Sequence, residues 1–231
     1  MAHRIILPLS VFGRFLIIAF AVVLLGWIAA AAHADEELFG WDASGLSNFG
    51  PSPWAPTTAP LSGLSSVAGL ARGTNLKTGT SPLAGWGGFG WIYGSETDAV
   101  AGNTYLTFGF TVAQGDTVSL SNISESYRRG SGGPDVGEFT YSLDGTNFVN
   151  VAGLTFGAFS SGQTTLIDLS GVAGLQHLTD GTTVTFRQAN WHSTGTDPGN
   201  SSASWFIYDT NIPGDDFSVL VSHRVGILAR R

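Results

Sequence analysis

The feature that most constrains the fold is a strict alternation of residue types between positions 103 and 113. Every second residue there is large and apolar, in the order Leu106, Phe108, Phe110 and Val112, and the residues between them are Thr or Gly. This period of two predicts a β-strand with one face on a core. A Gln-Gly-Asp turn at 114–116 and a second apolar strand pattern over 117–123 follow, and together the two strands predict a hairpin.

A second hairpin is predicted around Asp144-Gly145. Apolar residues alternate before this pair and return over 148–151, and Asp-Gly between two such runs is typical of tight hairpin turns. Five prolines between residues 51 and 82 predict short edge strands and loops over 38–85. Further strands are predicted at 154–159, 164–169, 182–189, 203–208 and 217–222, with one short helical turn at 172–178.

Composition agrees with an all-β fold. The chain has 32 glycines and no cysteine, and Lys, Glu and Met, which favour helix, are scarce. Strands at regular spacing with glycine-rich turns predict an antiparallel β-sandwich, jelly-roll-like, over residues 35–212, with a C-terminal strand and tail over 213–231. The aromatic segments 39–42 and 205–209 could pair as its first and last strands.

The first 34 residues predict export. Two arginines precede an apolar run of 18 residues, 15–32, and the segment ends Ala32-His33-Ala34, the small-x-small pattern at which signal peptides are cleaved. An apolar run of this length also lies at the lower limit for a spanning helix, so an uncleaved N-terminal anchor is the alternative to this apolar signal helix. Either case places the chain from residue 35 onward in the cell envelope or outside the cell.

The charge balance excludes some classes of partner. Ten Lys and Arg residues and 17 Asp and Glu residues occur in the chain, and two of the arginines, Arg4 and Arg14, lie in the leader. Residues 35–231 are therefore strongly acidic, which disfavours nucleic acid as a partner, because phosphate backbones need clustered cations. Adhesion to an anionic membrane surface is disfavoured for the same reason, so membrane contact is expected only through an uncleaved leader.

Several motifs occur in a fixed order. They are an arginine-rich turn ending in Gly-Pro at 126–134, a Ser-x-Asp-Gly hairpin within 139–148, a Phe-Arg strand at 184–187 and an aromatic strand ending in Asp at 205–209. Over about residues 38–212 this arrangement resembles bacterial exported β-sandwich proteins of the PEP-CTERM type. The resemblance implies an exported sandwich and no particular activity. Its sorting signal, Pro-Glu-Pro followed by an apolar helix, is absent here, so release or retention by the leader is expected.

Aromatic side chains between glycines form the first candidate binding site. These residues are Trp86, Phe89, Trp91 and Tyr93. Exposed flat rings stack on the apolar faces of sugars, while polar neighbours bond the hydroxyl groups. The alternative is that the rings are buried and fill one end of the hydrophobic core.

A pair of arginines forms the second candidate binding site. Arg128 and Arg129 lie in a glycine-rich turn, and guanidinium groups bind carboxylates or acidic sugars with forked hydrogen bonds. Alternatively, the pair anchors its own loop to Asp135 or Glu138.

Calcium is the only cofactor that the sequence suggests. Hard oxygen ligands of the kind that Ca²⁺ prefers occur in the candidate set Asp42, Asp209, Asp215 and Asp216. Asp215 and Asp216 follow Gly214, and the other two would meet if the end strands pair. The alternative is that all four are exposed turn acids.

No recognisable catalytic motif occurs in the chain. The histidines lack zinc-binding spacing, and neither a Gly-x-Ser-x-Gly elbow nor a cysteine nucleophile is present. The carboxylates are spread along the chain rather than paired as glycoside hydrolysis requires. We therefore expect an exported, non-enzymatic surface or extracellular-matrix module with a structural or interaction role. A carbohydrate-binding module is the alternative, and a glycan-cleaving enzyme ranks third; glycans or other matrix components are the expected partners.

Overall fold

Two antiparallel β-sheets form the body of the protein. The computed structural model describes residues 35–79, 84–157, 162–195, 199 and 202–226, and within them it confirms the predicted all-β sandwich. The predicted signal peptide or anchor, residues 1–34, lies outside the described residues. Among the described residues, no helix combines the length and the apolar character that a membrane-spanning segment requires.

The six-stranded sheet is built around one long strand, β5. Its members are β1 (Glu36–Trp41), β3 (Gly85–Phe89), β5 (Asp116–Arg129), β8 (Gln163–Asp168), β10 (Ser204–Tyr208) and β11 (Phe217–Gly226). Tyr127 of β5 pairs with both Gln163 of β8 and Ile207 of β10. β8 and β10 therefore occupy opposite edges of β5, and β11 shares the β10 edge, since Glu125 pairs with Phe217 on one side and with β8 on the other.

The five-stranded sheet consists of β2 (Leu64–Arg72), β4 (Tyr105–Val112), β6 (Val136–Ser142), β7 (Val149–Thr155) and β9 (Thr183–Trp191). Their order in the sheet is β2-β4-β9-β6-β7. A short helix, α1 (Glu96–Ala101), begins after Ser95, whose Oγ accepts the Asp98 N–H at 3.2 Å, and it contacts β9. A 3₁₀ turn spans Ala173–Leu175. The predicted hairpin around Asp144-Gly145 is confirmed, because β6 pairs with β7.

The core lies between the two sheets and is rich in aromatic rings. The alternating apolar residues of β4 all point into it and are at most 3% exposed. Phe108 stacks on Phe186 of its own sheet with ring centroids 5.0 Å apart. It also meets Trp41 and Phe217 of the facing sheet at 5.9 and 5.1 Å. These edge-to-face ring contacts stabilise the packing of the two sheets, beyond the contribution of the apolar area that the rings bury.

Two predicted strand pairings are wrong. β4 and β5 do not form a hairpin, because β4 lies in the five-stranded sheet and β5 in the six-stranded one; the turn after Val112 carries the chain across the sandwich. The segments 39–42 and 205–209 do not pair either, since β1 pairs with β11 whereas β10 pairs with β3 and β5. β11, predicted to follow the sandwich domain, lies between β1 and β5.

Candidate functional site

The two tryptophans of the predicted aromatic surface are buried. Trp86 and Trp91 are both 0% exposed. Trp86 stacks on Trp54 and donates its indole N–H to the Pro51 carbonyl at 2.6 Å. Trp91 packs edge-on against Trp205, with ring centroids 6.0 Å apart. The expectation that these rings stack on sugars is therefore wrong, because each indole contributes its large apolar area to the core instead.

Phe89 and Tyr93 keep partial exposure. Phe89 ends β3, where its backbone exchanges two hydrogen bonds with Lys77, at 2.9 and 3.0 Å. Tyr93 lines a pocket of about 240 Å³ that we call the Lys77 pocket. The pocket is lined by Asn75, Lys77, Gly90, Ile92, Tyr93 and Thr104.

Arg129 anchors its own loop. Its Nε donates to the Gly157 carbonyl at 2.7 Å and its Nη1 to the Gly133 carbonyl at 2.9 Å. These acceptors are backbone groups rather than the predicted carboxylates; the Asp135 carboxylate instead lies 2.6 Å from His192 Nδ1. The Arg128 guanidinium lies over the Tyr208 ring, 5.4 Å from its centroid. The structural alternative therefore describes Arg129 better than acidic-sugar binding does.

Three of the four predicted calcium ligands lie near one another. Asp216 is buried, and its carboxylate accepts the backbone N–H groups of Ala43 at 2.9 Å and Thr210 at 3.4 Å. Burial raises its pKa to about 6, and the negative charges of Asp209 and Asp42 add to that increase. These acids converge although the end strands do not pair.

The fourth acid, Asp215, belongs to a separate contact. It neighbours Glu37, whose pKa is raised to about 7 by burial first and then by a hydrogen bond and repulsion from Asp215. Among the described residues, no group of three or more His, Asp or Glu side chains is arranged to hold a metal ion. The calcium site stays a prediction.

A groove that the sequence analysis missed lies on the outer face of the five-stranded sheet. It encloses about 420 Å³ and runs over strands β2, β4 and β9. Its polar and small side chains are Ser66, Ala68, Thr107, Thr111, Thr183 and Thr185. We call this feature the outer groove.

A bulge in β2 shapes the outer groove. The pairing of β2 with β4 shifts register between Ala68 and Ala71, and there Leu70 pairs with Trp54 instead. This pairing places Pro53 beside the groove as a wall. Gly109 lies in the floor, where a Cβ atom would collide with the Val184 carbonyl oxygen. The strands can therefore approach so closely only because residue 109 has no side chain.

The groove surface combines methyl groups with hydroxyl groups. Thr107 and Thr111 project from β4, and Thr183 and Thr185 from β9, on the face opposite the core. The Oγ1 atoms of Thr111 and Thr183 lie 3.0 Å apart. None of the described residues that line the groove carries a charge. Such a surface suits a neutral ligand that has both C–H faces and hydroxyl groups.

Charged side chains stand just beyond one end of the groove, and we call them the Arg187 cluster. Arg187 is the next outward residue after Thr185, and its Nη2 lies 3.9 Å from Glu96 Oε1. Its guanidinium also lies 4.1 Å from the Phe148 ring centroid. The pKa of Glu138 is raised by burial first and then by the charge of Glu96 and a hydrogen bond with it. The two carboxyl groups are therefore in contact.

Comparisons with known proteins add little to this geometry. No family model matches the chain, and no curated protein matches it. One similar solved structure is TmCBM61 in complex with beta-1,4-galactotriose, at 12% identity and a TM-score of 0.28, covering 66% of this chain and 80% of that one. A likeness this weak supports neither a fold nor a ligand for this chain.

Proposed function

We propose that the protein is an exported, non-catalytic glycan-binding module whose site is the outer groove. The observation that carries the proposal is the set of four threonine hydroxyls around a floor of Gly and Ala residues. Sugar rings are amphipathic, with C–H faces and hydroxyl edges, and they match a surface of methyl groups beside hydroxyl groups. The volume of about 420 Å³ lies within the usual range of ligand sites.

The same geometry argues against cleavage of the bound glycan. None of the described residues lining the groove has a titratable side chain, so none of them could act as the general acid that cleavage of a glycosidic bond requires. Glu96 and Glu138 stand beyond the groove and are hydrogen-bonded to each other. Carboxyl groups in contact are too close to flank a glycosidic bond, which needs a separation of roughly 5 Å or more.

Removing groove hydroxyls without changing shape tests the proposal. A glycan array identifies the bound oligosaccharide, and calorimetry then compares the wild type with Thr107→Val and Thr185→Val. Valine keeps the branched shape that suits a strand, so each variant loses a hydrogen bond and little else. We expect a loss of affinity of about twofold to tenfold for each variant, since one hydrogen bond contributes about 0.5–1.5 kcal/mol.

Thr155→Val is the matched control, because Thr155 is an exposed strand threonine on β7, outside the groove. Ala68→Trp, which fills the groove, should abolish binding while the circular dichroism spectrum stays that of the wild type. Retained affinity in a folded Ala68→Trp protein would place the site elsewhere. An array on which no glycan is bound would refute the function itself.

A matrix or surface interaction module is the second candidate function. Three large apolar side chains are well exposed: Val149 at 54% and Leu166 at 63% lie on edge strands, and Leu143 at 46% lies in the turn between β6 and β7. β7 carries Val149 and β8 carries Leu166, and each of these strands pairs with a single neighbour among the described strands. Unpaired edges with apolar side chains are surfaces on which another chain can add a strand.

A further inference from the structure

The Lys77 pocket is separate from the outer groove. The two share no lining residue. Hydrogen bonds fix its walls: the Lys77 backbone is bonded to that of Phe89, and the Asn75 side chain donates to the Gly102 carbonyl at 2.7 Å. Tyr93 packs against Gly102 so closely that a Cβ atom there would collide with the ring. The pocket is therefore preformed rather than assembled from mobile side chains.

Lys77 differs from the other cations of the described sandwich. It is the only lysine in the chain, and no hydrogen bond or ion pair joins its Nζ to any of the residues that the structure describes. Arg72, by contrast, donates to the carbonyls of Phe49 and Gly50. Arg129 likewise donates to carbonyls, and Arg187 pairs with Glu96. The ammonium group of Lys77 is thus available to a ligand.

We propose that the Lys77 pocket binds a single carboxylate-bearing sugar residue, a uronic acid. The volume of about 240 Å³ suits one sugar ring rather than a chain. The Lys77 ammonium pairs with the sugar carboxylate, and the Tyr93 ring and Ile92 contact an apolar ring face. The Oδ1 atom of Asn75 accepts from a hydroxyl, because its Nδ2 already donates to Gly102.

The net charge of the chain supports a role for a local cation in binding an acidic sugar. Its formal net charge is −7, and a surface of that sign repels acidic glycans except where a cation is presented locally. The inference rests on the proposed function only in taking glycans as ligands. The pocket and the groove have no lining residue in common, so each can bind its sugar without the other.

The test uses glucuronic acid and galacturonic acid as probes, with glucose and galactose as neutral counterparts. NMR titration of the purified protein should show that a uronic acid binds more tightly than its neutral counterpart and shifts the amides of Asn75 and Tyr93. Lys77→Gln should weaken uronate binding about twofold to fivefold, the usual effect of removing an ion pair from an exposed lysine. Lys77→Arg should restore it, and added salt should weaken it.

The variants Thr185→Val and Lys77→Gln separate this inference from the proposed function. Thr185→Val should leave uronate binding unchanged while it weakens neutral oligosaccharide binding, and Lys77→Gln should do the reverse. Equal binding of acidic and neutral sugars, or no effect of Lys77→Gln, would overturn the inference and leave the groove untouched. A loss of uronate binding in Arg128→Met but not in Lys77→Gln would assign the acidic sugar to the arginine turn. Preference for a sulfated sugar over both uronates would also overturn it.

Discussion

Glu125 is a carboxyl group in the middle of the core. It is 0% exposed, and it lies on the inward face of β5, where Oε2 accepts a hydrogen bond from Gln188 Nε2 of the facing sheet at 3.3 Å. Its Oε1 has no partner among the described residues. Burial raises the pKa of Glu125 to about 8, against an ordinary value of 4.5. The folded protein therefore holds this proton through neutral pH, whereas the unfolded chain releases it.

This difference predicts that stability falls as pH rises. The contribution of Glu125 is fully present below pH 4.5 and is lost as pH rises toward about 8. Within that window one proton is released on unfolding, which changes the free energy of unfolding by about 1.4 kcal/mol per pH unit. Glu125→Gln, which cannot ionise, should reduce the slope of stability against pH by about that amount. Urea denaturation between pH 5.5 and 7.5 measures the slope.

Glu37 and Asp216 also have raised pKa values, to about 7 and about 6, so the variant should keep a residual slope of the same sign. Glu36→Gln removes an exposed carboxylate from β1 and serves as the control. Parallel curves for the wild type and Glu125→Gln would show that residue 125 is ionised in the folded protein at these pH values.

The burial of a residue was predictable from sequence where its polarity agrees with its place in the strand pattern. Phe108 is apolar in a period-two pattern, and it is buried as predicted. Glu125 has no such signal, because an isolated glutamate in a strand is usually exposed. Trp86 could not be placed from sequence either: an aromatic ring between glycines suits both a core and a binding surface, and only the fold shows Trp54 stacked on it.

At the scale of elements, the hairpin β6–β7 depends on its turn. The Asp144 carboxylate accepts the backbone N–H groups of Thr146 and Asn147 at 2.8 and 2.7 Å. These bonds, with that to Asn147 foremost, hold the pKa of Asp144 below its usual range. Gly145 adopts a φ of 75°, which suits glycine. Local hydrogen bonds and a permissive residue therefore specify the reversal without tertiary help, which explains why the sequence predicts it.

Asp144→Ala should destabilise the pairing of β7 locally and lower the stability of the whole protein only slightly. β7 pairs with β6 alone among the described strands, so a weaker turn frays an edge rather than a central strand. We expect the melting temperature to fall by about 2 to 4 °C for a sandwich of this size, and amide exchange to accelerate in residues 149–155. Asn150→Ala, an exposed change on the same strand, should do neither. Uniform acceleration across β4 and β9 would contradict this local role.

Connections between elements were harder to predict than the elements themselves. A glycine turn after β4 predicts a reversal, yet the same turn serves a hairpin or a crossing to the facing sheet, and here it crosses. Prolines between 51 and 82 predict only short edge strands, but β2 runs for nine residues as the edge of its sheet. The outer groove comes from the β2 bulge and its bridge to Trp54. Neither feature has a signature in the pattern of residues.

At the scale of the whole molecule, the sheet edges are protected unequally. The loop after β1 covers the β1 edge, since Leu61 and Thr57 donate backbone N–H groups to Leu38 and Gly40. Similar bridges from Trp54 and Lys77 cover the edges at β2 and β3. Within the described part of the chain, no loop forms such bonds along the outer edges of β7 and β8. An open edge with exposed apolar side chains is a site of strand addition.

The open edges predict self-association that rises with protein concentration. Val149→Lys and Leu166→Lys each place a charge on an open edge, where its desolvation opposes pairing with a second chain. Sedimentation velocity should show association of the wild type and a loss of association in one or both variants. Ile212→Lys is the control, because Ile212 is the most exposed large apolar residue among those that the structure describes, at 67%, and lies in no strand. If Ile212→Lys abolishes association as well, general hydrophobicity is responsible rather than the edges. A wild type that stays monomeric at all concentrations would remove the structural basis for a self-assembling matrix module, and it would leave glycan binding in the outer groove as the function that the fold supports.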